Sequence, residues 1–255
     1  SDHLRDSVGP TIARLPVMAT AKTSAETGTS STALALSALS LPTLASACRR
    51  CEACPLYCAA TQAVFGEGPA HARIMLVGEQ PGDEEDRRGH PFVGPAGAVL
   101  AEALAEAGLP RDEIYLTNAV KHFKFVERGK RRLHEKPNAR ERAACRPWLA
   151  AELRLVRPRI VVALGATAAA SLLGPSVRVL RDRGQIRPLT PDTRDETIDA
   201  LVTLHPSAVL RGPTPERRRE LRAWLVGDLR LVAARVDVAS RHRERASRAG
   251  RAVSE

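Results

Sequence analysis

The segment Lys121 to Pro137, KHFKFVERGKRRLHEKP, carries seven lysines and arginines against two glutamates, has phenylalanines interleaved with its first lysines, and places His134 directly after Lys130, Arg131, Arg132 and Leu133. Cations at this density track phosphates, and aromatic rings offer faces to unstacked bases, so the segment suits a polyanion. The histidine adds a group that can act as base or nucleophile near neutral pH. Upstream, GEQPGDEEDRRGHPFVGPAG (78–97) sets Glu79, Gln80 and Asp83 ahead of Phe92, and downstream stand Asn118 in LTNAV and the tripeptide His205, Pro206, Ser207 followed by Arg211. The glycines match neither the dinucleotide fingerprint nor a P-loop, which excludes nucleotide-cofactor and NTPase readings. Cys51 and Cys54 form a CxxC pair and Cys145 is a distant third thiol, a soft donor set that suits a metal better than a disulfide. Cys48 makes a second CxxC with Cys51, so the ligand pair could be shifted by one motif.

Four short apolar runs would have to position these groups: 72–78, 113–120, 160–165 and 199–206. None alternates cleanly, as expected for strands buried on both faces of a parallel sheet. Helical patterns separate them at 96–108, 139–156 and 166–173, and a last helix opens on Thr214, Pro215 and Glu216 with Leu221, Trp224, Leu225 and Val232 on one face. The expected fold is therefore α/β, a three-layer α/β/α sandwich on a mainly parallel four-stranded sheet, with its ligand site beyond the carboxyl ends of the strands. Glu79, Asn118, Gly165 and His205 each follow or end one of the four runs, so four sequence-distant loops should meet at one crevice.

The 255 residues fit one large domain, read as 43–235, between a Ser, Thr and Ala-rich tail at 1–42 and a basic tail at 236–255. Met18 is the candidate natural start. A formal charge of +10 argues for an anionic partner and says nothing about fold. The longest weakly polar run, 33–47, is interrupted by serines and Pro42, so no membrane span is expected. The expected protein is cytoplasmic and monomeric.

GEQPGDEED with PFVGPAG, then LTNAVK, then HPS resemble, in order, the motifs of the uracil-DNA glycosylase superfamily, particularly its iron-sulfur bacterial and archaeal branch. CEACPLYCAATQAVFGEGP at 51–69 is similar to that branch's opening segment, and KHFKF with GKRRLH resembles its X-type subgroup. The resemblance implies an enzyme that flips uracil out of DNA, preferably single-stranded DNA, where no unpairing opposes extrusion. It implies stacking on Phe92, reading of the uracil edge by Asn118, and stabilisation of the departing base by His205, with Gln80 and Asp83 as neighbours in the pocket. Ser207, Arg211, Lys121, Lys130, Arg131 and Arg132 would lie along the DNA backbone. In the X-type enzymes the histidine of the inserted loop attacks C1′ of the sugar; the matching residue is His134, with Glu79 to orient it. The iron-sulfur branch has a cysteine where this chain has His122, so the implied ligand set is Cys51, Cys54, His122 and Cys145 around a [4Fe-4S] cluster, zinc being the weaker reading.

Two rivals remain open on sequence: a glycosylase that turns over and releases abasic DNA, and a metal-stapled single-strand binding module without catalysis. The second gives no reason for Glu79, Asn118 and His205 to stand at strand ends.

Overall fold

The structure, a computed structural model, describes Leu36, residues 39–191 and residues 197–252, with side chains as far as Asp237. Most of the segment read as an N-terminal tail lies outside the described residues. Its last two residues lie in helix α1 (Leu41–Cys48), which is capped by the Ser40 hydroxyl.

The four apolar runs form the parallel strands β1 (Ile74–Gly78), β2 (Ile114–Asn118), β5 (Ile160–Leu164) and β7 (Ile198–Thr203). Between β2 and β5 a separate antiparallel hairpin is made by β3 (Phe125–Arg128) and β4 (Arg131–His134). The sheet has five strands, not four: β6 (Ile186–Leu189) joins as an antiparallel edge, giving the order β2-β1-β5-β7-β6. Its sequence hides it, since IRPL carries a proline and alternates in burial. Proline is tolerated at such an edge.

Helices α2 (Asp83–Arg88), α3 (Pro95–Glu106), α4 (Ala139–Val156), α5 (Ala166–Leu173), the short α6 (Val179–Asp182), α7 (Pro206–Leu210) and α8 (Pro215–Ala252) complete the chain. Successive strand residues point to opposite faces. Ile74, Leu76, Leu116, Val162 and Leu201 pack with Leu100 and Leu104 of α3 and Leu225 and Leu229 of α8. Met75, Val77, Tyr115, Val161 and Ala163 pack with Leu149 and Leu153 of α4 and Ala168 and Ala169 of α5. These are the three layers. The residues read as a basic C-terminal tail continue α8 to Ala252, in keeping with the good helix propensity of alanine, arginine and glutamate. Among the described residues no helix is long and apolar enough to cross a membrane.

Candidate active site and metal centre

The chain leaves β1 for β2 on one side and later returns to β5 on the other, so the strand order reverses between β1 and β5 and opens a crevice beyond their carboxyl ends. Glu79, just past β1, occupies it. One carboxylate oxygen receives a hydrogen bond from Thr167 Oγ1 in the first turn of α5, and the other lies 3.1 Å from His134 Nε2. Burial pushes this carboxyl up, but the bonds from His134 and Thr167 and the proximity of His205 outweigh it and leave Glu79 below its ordinary value. Glu79 is thus an anion at neutral pH. Facing it, His134 meets Glu79 through Nε2; with the proton on that nitrogen, as its partner implies, the lone pair lies on Nδ1.

Asn118 ends β2, 3 % exposed, and its side-chain amide makes no hydrogen bond to any described residue. A side chain on Gly78 would run into that amide and into the Phe92 ring, so only glycine lets the two approach. Phe92 has φ 56, a region that bulky residues occupy only when the surroundings impose it. The imposition is visible: buried Glu85 accepts from Gly82 N (3.0 Å) and Gly94 N (2.8 Å), clamping the loop that carries the ring. Phe92 lies 6.3 Å from the His205 ring, centroid to centroid, at 30°.

His205 caps α7. Its Nδ1 accepts from Ser207 N at 3.2 Å and lies 2.7 Å from Ser207 Oγ, which in turn accepts from Arg211 Nη1 at 2.8 Å. An acceptor Nδ1 leaves the proton on Nε2. Burial, with Arg211 and His134 adding and Glu79 opposing, pulls the imidazole down to about 4, so it stays neutral near pH 7 and can donate from Nε2 into the crevice. Glu79, Phe92, Asn118, His134 and His205 therefore share one site. Thr167, Glu85 and Asp86, which sequence reasoning passed over, support it; Thr167 could have been noticed as the hydroxyl in the first turn after the third parallel strand.

The hairpin that carries His134 is held from below. Gln80 donates to Lys124 O (3.0 Å) and Glu135 O (3.1 Å) and accepts from Lys124 N (3.1 Å), joining both of its ends. Its side chain is committed there and is not free to bind a base. Arg132 pairs with Asp83 and with buried Asp86 (2.6 Å) while lying 5.5 Å over Phe123 and 4.9 Å over Phe125. This corrects two expectations: Arg132 is spent on α2 rather than exposed to DNA, and the Asp83 carboxylate serves Arg132 and Arg87 rather than a base. The expectation for Lys121 is also overturned. It is 0 % exposed, with its ammonium 2.6 Å from Glu152, and cannot reach a phosphate. A lysine in a basic run looks like a surface cation until its buried partner, distant in sequence, is known. Lys130 and Arg131 remain exposed near the hairpin tip, as does Arg211 beyond α7.

At the outer end of β2 lie the thiols. Cys54 is hydrogen-bonded to Cys145, which draws its thiol down to about 5 against burial and with help from His122. His122 Nδ1 is buried with no hydrogen-bond partner, an orphaned donor or acceptor that a metal centre would satisfy. Trp148 Nε1 donates to Cys51 Sγ at 3.2 Å and Lys121 N to Cys145 Sγ at 3.4 Å, the kind of N–H bonds that support ligating sulfurs. Among the described residues no three of these side chains close tightly enough to grip a single ion. Cys48, the other thiol of a shifted pair, is fully buried in the same apolar cluster as Cys51, with Leu44 and Trp148, and burial pushes its thiol up to about 12. Cys58 is exposed.

Residues 65–226, which span the whole crevice, match the family model described as the uracil DNA glycosylase superfamily. The chain is 39% identical over 172 residues to a type-4 uracil-DNA glycosylase of Thermotoga maritima, covering 67% of this chain and 83% of the relative. It is 35% identical over 185 residues to another of that name from Pyrobaculum aerophilum, covering 71% and 91%. A type-5 uracil-DNA glycosylase of the same archaeon is 38% identical over a shorter stretch of 113 residues, 38% of this chain and 46% of the relative. A crevice that gathers an anionic Glu79, a free Asn118 amide, a strained Phe92 and a neutral His205 is accounted for by this match over most of the folded chain: the protein belongs to the uracil-DNA glycosylase superfamily.

Proposed function

We propose that this uracil-DNA glycosylase excises uracil from DNA, with a preference for single strands, and becomes covalently joined to the resulting abasic sugar through His134, as an X-type enzyme. The observation that carries the reading is the pairing of His134 with anionic Glu79 at the switch point of the sheet, on a hairpin fastened by Gln80 and Arg132. Uracil enters the pocket with its ring on Phe92 and its N3–H and O4 on the Asn118 amide. The bond between C1′ and uracil N1 breaks with its electron pair leaving on the base, and His205 Nε2–H stabilises the charge growing on O2. The His134 lone pair then bonds C1′ of the oxocarbenium-like sugar. The ring becomes an imidazolium, balanced by Glu79, and the uracil anion takes its proton from solvent. Lys130, Arg131, Ser207 and Arg211 line the path of the backbone.

The donor set Cys51, Cys54, His122 and Cys145 would hold an iron-sulfur cluster, for which thiolates are the usual ligands. The cluster would supply no chemistry to the reaction; it would tie the segment after Asn118 to α4. Cys145→Ser should lower the iron and acid-labile sulfide of the purified protein and its thermal midpoint together. Zinc in place of iron in elemental analysis of the wild-type protein would overturn the cluster assignment.

The test of the function is to incubate the protein with single-stranded DNA carrying one uracil, with a thymine control, and run a denaturing SDS gel. A uracil-dependent species heavier by the protein is expected. Strand breakage on alkali without that species would mean turnover with a water nucleophile, and neither signal would mean a binding module.

A further inference from the structure

We propose that the buried Lys121–Glu152 pair is the positioning device that fixes Asn118 for choosing the base, an inference that rests on Asn118 being the residue that reads uracil. Both side chains are 0 % exposed. The three protons of the Lys121 ammonium are all used, on Glu152 Oε2 (2.6 Å), Thr117 Oγ1 (2.7 Å) and the backbone carbonyl of Asn118 itself (2.8 Å). Glu152 Oε1 accepts from Gly66 N (3.1 Å), the Tyr115 hydroxyl (3.1 Å) and Thr117 Oγ1 (2.9 Å). The space is so closely filled that a Cβ on Gly66 would come within 2.5 Å of both Glu152 and Tyr115.

The geometry points to Asn118. The lysine side chain folds back three residues and closes the turn after β2 from inside, while Ala119 N and Val120 N extend the pairing to Gly78 O (2.9 Å) and Glu79 O (3.0 Å). The Asn118 backbone is thereby held from below as well as from the side. An amide tells uracil from cytosine only if its oxygen and nitrogen keep their places, which a loose strand end would not ensure. Stability alone gives little reason for the pair, because apolar residues of similar volume usually serve a core as well as a buried ion pair or better. Lys121 also donates its backbone N–H to Cys145 and precedes His122, so the same residue joins the thiol cluster to the base-reading strand end.

The test uses the full-length protein with Lys121→Met/Glu152→Gln, which removes both charges and keeps an acceptor for Gly66 N. Expected are an unchanged affinity and salt dependence for single-stranded DNA, because neither residue meets solvent, and a fall of about tenfold or more in single-turnover uracil release with reduced preference for uracil over cytosine. Wild-type release and selectivity in a folded double variant would overturn the proposal. So would weaker DNA binding with a shallower salt dependence, which would make Lys121 a phosphate contact. If the double variant does not fold, Thr117→Val decides: a slower release at an unchanged thermal midpoint supports the proposal, and an unchanged release sinks it. Asn118→Asp is the control. If that change leaves uracil release intact, the reading of Asn118 fails irrespective of the pair.

Discussion

His134→Ser should abolish the SDS-stable protein–DNA species while leaving uracil release measurable. The serine hydroxyl is a poor nucleophile without a base that deprotonates it, and its shorter side chain withdraws from the position where the imidazole meets Glu79. The space left admits water, and Glu79, an anion at neutral pH, is placed to orient that water toward C1′. The variant should then behave as a turnover enzyme, releasing more than one uracil per protein and leaving abasic DNA that breaks on alkali. The wild-type protein should release no more than one. Loss of the adduct by at least about a hundredfold is the size expected when the attacking group itself is removed. Survival of the adduct in His134→Ser would make another side chain the nucleophile; many uracils released by the wild type would make the enzyme an ordinary glycosylase.

What was legible in the sequence, and what was not, follows from the range of the interactions. The four parallel strands and the capped start of α8 were readable because a doubly buried strand is continuously apolar and a cap is local. The edge strand β6 was missed because one solvent-facing side and Pro188 erase that signature. The residues of the crevice were recognisable by their motifs and their positions at strand ends. Their supports were not: the commitments of Gln80 to the hairpin ends, of Arg132 to Asp83 and Asp86, and of Lys121 to Glu152 join residues 31 to 55 positions apart. Charge pattern and motif together assigned two of these three to DNA, because a cation in a basic run carries no local mark of its buried partner.

His205→Leu should slow uracil release by about 10²–10³-fold, the loss usual when a donor aimed at a developing oxyanion is removed, while DNA affinity changes little. Leucine approximates the volume but carries no N–H, and it cannot accept from Ser207 N to cap α7. The pH dependence separates this role from that of an acid. With its pKa pulled down to about 4 by burial, His205 is neutral and its Nε2–H intact from pH 5 to 8, so it should add no inflection to the rate in that range. A histidine acting as a proton donor would instead lose rate above its ordinary value near 6.5. The unfolded imidazole takes up its proton near 6.5 and the folded one only near 4, so acidification through that window favours unfolding. His205→Leu should therefore make the thermal midpoint less sensitive to pH between about 6.5 and 4 than in the wild type. If the variant kept full activity, or if the wild-type rate fell above pH 6.5 and the variant lost that fall, His205 would not be the neutral donor to uracil O2.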